Sequence, residues 1–300
     1  MKTKTYLFAL MAMAFTLGSC SDNENGIGSE TSKYITVSTS IGNMTRVATD
    51  ANGGQTFEEG DEISVYAWTG APTVAPETSE RVVNNAINKL TNGSWVSTPQ
   101  MLWKNNRDKH YFIGVYPTAA ISDLSAGEYT FDVNKQTESD LLVAVNPDGL
   151  SYSADAQQTV PLTFTHVMAK LAVNLTYKNQ WGGIPTVEKV VVGNAAKEAT
   201  INYLTKVVTP STTAKEDFSL PEITENTKYV SVIIPQEEVK QLTIVIGGKN
   251  FVYDNGTPFK LESGKITTVN LEVGRDEIKL GDVKITNWED GSTFSGEAIN

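Results

Sequence analysis

The sequence predicts an all-β chain made of two sandwich-sized units. Three observations carry that prediction: a hydrophobic period of two, strand runs rich in Thr, Val, Ile and Tyr, and Asn/Asp-Gly turn signals set between those runs. From Tyr34 onward the period shows as Ile35/Val37, Ile63/Val65/Ala67, Leu141/Val143, Leu162/Phe164, Leu171/Val173/Leu175, Val190/Val192, Ile244/Ile246 and Val283/Ile285. Such alternation puts every second side chain on one face, as a half-buried strand requires. Asn92-Gly93, Pro147-Asp148-Gly149, Asp254-Asn255-Gly256 and Asp290-Gly291 offer the positive φ angles that hairpin turns need. Many short strands punctuated in this way build sandwiches or barrels.

Two segments depart from the simple pattern. Residues 79–90 fit either a strand or a short helix, with Val83, Ala86, Ile87 and Leu90 on one side after a Ser cap, and both readings stay open. Between Leu162 and Leu175 the parity changes: Leu162, Phe164, His166 and Met168 share one face, while Leu171, Val173 and Leu175 share the other. An odd shift of register calls for a bulge, or a crossing between layers, near Ala169. A boundary just before it, around Gln158, divides the chain into an N-terminal sandwich over 34–158 and a C-terminal one over 159–300. These are units of about 125 and 140 residues, an ordinary size for the class.

The amino terminus reads as an address. Lys2 and Lys4 precede an apolar run from Tyr6 to Thr16, and Leu17-Gly18-Ser19 lead into Cys20. This is the pattern of a signal peptide over 1–19. At about 1.5 Å per residue the apolar run covers only about 16 Å of a hydrocarbon layer roughly 30 Å thick, too little for a membrane span. Leu-Gly-Ser-Cys resembles the bacterial lipobox, in which the cysteine thiol receives a diacylglyceryl group and becomes the first mature residue. Residues 20–33 read as a lipidated cysteine followed by a flexible tether, since residues 21–33 hold one apolar side chain, Ile27. Acidic residues directly after such a cysteine resemble the surface-export signal of certain Gram-negative bacteria.

Composition narrows the chemistry. The chain has 24 Lys and Arg against 35 Asp and Glu, a net charge of −11, which opposes binding to nucleic acid or an anionic membrane through bulk charge. One cysteine and two histidines leave no disulfide framework, redox pair or His/Cys metal site to assemble, so no cofactor or metal is expected. His110 and His166, each among apolar strand neighbours, read as satisfied structural side chains. The acidic run from Glu58 to Glu62 and the Asp50 to Gly54 segment read as solvated turns, without the ligand spacing of a calcium loop. No nucleophile motif or phosphate loop is present, and the chain is not expected to be an enzyme. The five tryptophans, Trp68, Trp95, Trp103, Trp181 and Trp288, suit core packing; a sugar-stacking platform is the other use of such residues.

The strand text resembles the fimbrillin family, the lipoprotein subunits of type V pili. The resemblance runs through Phe57-x-x-Gly60-Asp61-x-Ile63-x-Val65-Tyr66-Ala67, Trp103, the stretch from Tyr111 to Pro117, Asp140 to Ala144, Leu162 to Leu171, Gly264 to Thr268, and Ile285-x-Asn287-Trp288-x-Asp290-Gly291. It implies two tandem transthyretin-like, Greek-key sandwiches and a mechanism of assembly. An arginine-specific protease removes the first strand after export, and a strand from another subunit fills the groove. Here the first strand is Tyr34 to Ile41, with Tyr34, Ile35, Val37 and Ile41 as displaced residues, and Arg46 is the candidate cleavage position. The candidate donor is the C-terminal segment carrying Ile278, Leu280, Val283 and Ile285; completion of the chain's own second sandwich is the competing use of that segment, and both stay open.

The expected protein is therefore a surface lipoprotein held to the outer membrane through Cys20, which passes into a fimbrium after processing. Its partners are other pilin subunits, joined by β-strand complementation, and a receptor on a host or bacterial surface. The alternative is a monomeric surface lipoprotein that binds glycans.

Overall fold

The structure is a computed structural model that describes residues 33–42, 56–152 and 159–288. It is almost entirely β, as the period of two predicts. A seven-stranded sheet runs in the order β1 (Thr36–Ile41), β8 (Thr159–His166), β7 (Leu142–Leu150), β5 (His110–Tyr116), β2 (Glu62–Thr69), β3 (Val83–Thr91), β4 (Ser94–Thr98). A five-stranded sheet follows in the order β14 (Glu222–Thr224), β15 (Lys228–Ile233), β9 (Ala169–Tyr177), β18 (Lys265–Val273), β19 (Ile278–Asn287). A four-stranded sheet has the order β13 (Lys215–Ser219), β10 (Val187–Ala196), β16 (Gln236–Ile246), β17 (Lys249–Leu261). A small sheet of β12 (Val207–Pro210), β11 (Glu198–Asn202) and β6 (Gly127–Thr130) ties the two halves of the chain together.

Apolar side chains cover both faces of the seven-stranded sheet, so its central strands β2 and β5 are buried almost end to end. Ile63, Val65, Ala67, Phe112, Ala144, Leu162 and Phe164 form one apolar cluster with Ile35 and Val37. On the opposite side Tyr66, Trp68, Ile113, Val115 and Val143 merge with the core of the C-terminal half. The sheet curls until its two edge strands approach: Trp95 Nε1 on β4 donates to Thr39 Oγ1 on β1 at 3.0 Å. Beneath them Phe57 meets Trp95, Tyr116 and Phe164 edge-on at 5.3, 5.4 and 5.1 Å between ring centroids. Gly114 makes room for that cluster, since a Cβ there would lie 2.6 Å from Phe164 Cζ.

The parity change is a crossing between sheets. Val167 N–H donates to Leu141 O at 3.0 Å, and the Met168 carbonyl accepts Gly264 N–H at 2.8 Å. The chain thus leaves the seven-stranded sheet and enters the five-stranded one within two residues. Because β8 pairs with β7 and β1, a division at 158/159 would part it from both neighbours, and the change of sheet falls at 167–168 instead.

Residues 83–91 are a strand, and a bulge explains their helical appearance. Val65 and Ala67 on β2 face Ala86 and Val83 on β3, three residues apart, with Asn85 at φ 54 taking up the extra residue. An i, i+3 spacing on one face therefore arises without a helix. Two turn signals are likewise absorbed into strands. Pro147-Asp148-Gly149 lies inside β7, where the pairing with β5 shifts register, and residues 254–256 lie inside β17 at another register shift. Asn92-Gly93, with φ of 51 and 73, is a true hairpin turn between β3 and β4. Asp290-Gly291 lies outside the described residues.

Candidate functional site: the two terminal strands

β1 is an edge strand that runs parallel to β8 in register from Thr36↔Thr159 to Ile41↔Phe164. Its odd-numbered side chains face the core: Ile35 and Val37 are buried, at 2% and 6% exposure, and Ile41 packs against the same cluster. Its even-numbered side chains face outward, where Thr36 and Ser40 bond to the hydroxyls of Thr159 and Thr163, both at 3.2 Å. Tyr34 forms an isolated antiparallel bridge with Leu102, and Ile35 N–H donates to Met101 O at 2.9 Å, so a short run at 101–103 holds the beginning of the strand. Along the rest of β1 the rim opposite β8 borders a groove of about 640 Å³ lined by Phe57, Leu90, Ser94 and Trp95. Beside β1 on the same core face lie Val160, Leu162 and Phe164 of β8, at 0%, 1% and 0% exposure.

β19 is the edge strand at the other end of the chain, and it pairs antiparallel with β18 alone. The sequence gives its apolar residues opposite parities, 278 and 280 against 283 and 285. The register resolves this: Val273↔Ile278, Leu271↔Leu280, Val269↔Val283 and Thr267↔Ile285. Two steps on β18 oppose three on β19, so a bulge around Gly281 and Asp282 brings all four apolar residues to the core side of the sheet. A Cβ on Gly281 would stand 3.2 Å from Asn270 O, which suits glycine to the close approach. Ile278 and Leu280 pack against the core, whereas Val283 and Ile285 overhang it at 36% and 40% exposure.

The two halves of the chain close alike. β1 lies parallel to β8, and β9 lies parallel to β18 in register from Ile266↔Lys170 to Val273↔Tyr177. β19 follows that second closure. Cys20, Arg46, the leader and the tether as far as residue 32 lie outside the described residues.

The remaining chemical candidates are structural. His110 is fully buried; its Nε2 accepts Lys104 N–H at 3.0 Å while Nδ1 meets Asp108 O at 3.1 Å. Burial holds its pKa below the ordinary value, with the Asp108 carbonyl opposing the shift. The acidic turn is self-satisfied: Asp61 accepts Glu58 N–H at 2.7 Å, and Glu59 accepts the Asn92 and Gly93 N–H groups at 2.7 and 3.4 Å. No group of three or more metal-ligating side chains occurs among the described residues. Trp68, Trp103 and Trp288 are buried, and the two partly exposed tryptophans are engaged, Trp95 as above and Trp181 through Nε1 to Val273 O at 2.9 Å.

Two arginines, Arg81 and Arg107, lie among the described residues before β5. The structure buries Arg81 at 8% exposure, where its guanidinium donates to Ile121 O and Ser122 O, both at 2.6 Å, and lies 5.4 Å from the Tyr66 ring centroid. It clamps residues 121 and 122 and is not open to a protease. Arg107 is exposed in the loop before β5.

The described residues thus form an all-β fold whose two described ends are both edge strands. The fimbrillin-like family model matches residues 45–288, and the chain belongs to that family. Its fold is shared with a candidate cell adhesion protein of Bacteroides uniformis, at 18% identity and a TM-score of 0.60 over 85% of this chain and 99% of that one. A second candidate cell adhesion protein, from Bacteroides ovatus, gives 17% identity and a TM-score of 0.62 over 85% and 98%. A fimbrial protein of Bacteroides vulgatus gives 13% and 0.51 over 85% and 99%. No curated protein sequence matches the chain.

Proposed function

We propose that this chain is a structural subunit of a type V pilus whose copies join by strand exchange, with adhesion as the output. One observation carries the reading: each described end of the chain is an edge strand with an apolar face, one of them buried in a groove and the other partly overhanging. Cleavage at Arg46 would sever β1 from the body and leave Val160, Leu162 and Phe164 exposed beside the unpaired backbone of β8. A β19 from a second copy would restore that ladder and set Ile278, Leu280, Val283 and Ile285 into the groove. At about 1.5–3 kcal/mol for each buried side chain, the four offer roughly 6–12 kcal/mol before the strand's ordering cost.

In this reading the precursor is held at the outer membrane by lipid on Cys20, faces outward, and enters the fimbrium when β1 and its anchor depart. Family membership supports a cell-surface, fimbrial setting and a non-catalytic role. The glycan-binding alternative draws no support from the tryptophans, all of which are packed or hydrogen bonded.

Incubation of the purified chain with an arginine-specific protease tests the proposal. The expected product is a ladder of oligomers that survives mild SDS and whose body begins after Arg46. A trimmed monomer, or oligomers formed equally well without cleavage, would overturn it.

A further inference from the structure

Along β19 nearly every side chain is exposed or half-buried, yet the residue that follows it, Trp288, is 7% exposed. Its indole lies flat against the His166 imidazole, with centroids 4.2 Å apart and planes 7° from parallel. Lys170 Nζ stands 4.2 Å from the same ring centroid, and His166 Nδ1 is held by Asp140 Oδ1 at 2.8 Å. Trp288 N–H donates to Gly264 O at 3.2 Å, while the buried Nε1 has no hydrogen-bond partner. The socket spans the crossing between sheets, because His166 ends β8 and Lys170 belongs to β9. One strand, β8, therefore carries both ends of the described chain: β1 along its backbone and β19 through the ring stack.

We infer that Trp288 is a clasp: the socket of His166, Asp140 and Lys170 holds β19 closed on its own subunit, and withdrawal of the indole frees the strand for a partner. The inference rests on the strand-exchange reading for its purpose, though not for its geometry. Three features fit a reversible hold. The stack on His166 and the cation over the ring favour docking. The unpartnered Nε1–H opposes it, because that group regains a hydrogen bond only in water. The stretch of β19 next to Trp288 is the least enclosed, since Val283 and Ile285 overhang the core while Ile278 and Leu280 pack against it. At the other end of the strand, Gly274 N–H donates to Glu277 O and Lys178 pairs with Glu277, so release from Trp288 would peel the strand from its C-terminal end.

Hydrogen exchange on the uncleaved full chain, read by mass spectrometry on peptides from β19, β18, β9 and β15, tests the clasp. Trp288→Ala is expected to speed exchange across residues 278–287 by about tenfold or more and to leave the β9–β15 pairing at wild-type rates. Trp288→Phe keeps a stacking ring and removes the unsatisfied N–H, and its β19 is expected to exchange no faster than wild type. Unchanged β19 exchange in Trp288→Ala would overturn the inference, as would equal acceleration in Trp288→Phe or a rise spread evenly over all four strands. The measurement is made on monomer, so a chain that shows the Trp288→Ala effect yet never polymerises upholds the clasp while removing the pilus reading.

Discussion

Replacing Val283 and Ile285 together with serine separates what β19 does within its own subunit from what it would do in another. The two side chains are 36% and 40% exposed, so each is about three-fifths buried when β19 lies on β18. Complete burial of such a side chain contributes about 1.5–3 kcal/mol, which puts the loss on folding at about 1–2 kcal/mol each, or 2–4 for the pair. In a groove closed on both sides the same pair would lose about 3–6 kcal/mol. The junction between subunits therefore suffers by about 1–2 kcal/mol more than the fold does, roughly a five- to thirtyfold weaker association. Urea denaturation of the uncleaved chain gives the first quantity, and dilution of preformed polymer, followed by the fraction of released monomer, gives the second. Equal losses in the two measurements, or a polymer indifferent to the double substitution, would refute the argument that these residues overhang in one setting and are enclosed in the other.

Three further outcomes follow from the packing. Arg81→Ala removes charged hydrogen bonds to Ile121 O and Ser122 O and is expected to cost about 3 kcal/mol in urea denaturation; a loss under about 1 kcal/mol would contradict the clamp. His110 is held below its ordinary pKa of about 6.5 by burial, so the unfolded chain takes up the proton first; its contribution to stability is complete above about pH 6.5 and falls as the pH drops toward the folded value. Thermal melts from about pH 7.5 to 5.5 are expected to show a steeper decline for wild type than for His110→Gln, and parallel curves would count against it. Gly114→Ala forces a Cβ to within 2.6 Å of Phe164 Cζ and 3.2 Å of Leu162 Cδ1, an overpacking expected to cost about 1–3 kcal/mol; an unchanged denaturation midpoint would show that the core face of β8 is loosely packed.

The period of two was enough to read strands and the all-β class, because alternation reports directly on which face is buried. Bulges defeated it locally. At Asn85 one extra residue gave β3 a helix-like spacing, and at 147–149 a turn signal was spent inside β7. The parity change between Phe164 and Leu171 announced the crossing between sheets, yet alternation does not say which strand pairs with which, so the side on which β8 falls emerged only from its ladder with β7. On β19 the opposite parities of Leu280 and Val283 concealed a shared face, because the bulge that reconciles them depends on a partner strand. Arg81 and Trp288 were illegible for a related reason: their partners lie about 40 and 120 residues away in the chain, and nothing in their own neighbourhoods marks one as a clamp or the other as a clasp.

Strand exchange between copies can be read from a covalent bond. Cysteine at Thr163, on the outward face of β8 where Ser40 of β1 lies, would be paired with a second cysteine scanned over the outward positions Asp282, Lys284 and Thr286 of β19. A disulfide requires Cα atoms within about 7 Å, so it reports direct strand contact. After cleavage at Arg46 the account predicts disulfides between copies at one register of the scan, and none before cleavage. Cross-links that form equally in the uncleaved chain, or polymer in which no position of β19 reaches residue 163 of another copy, would contradict it.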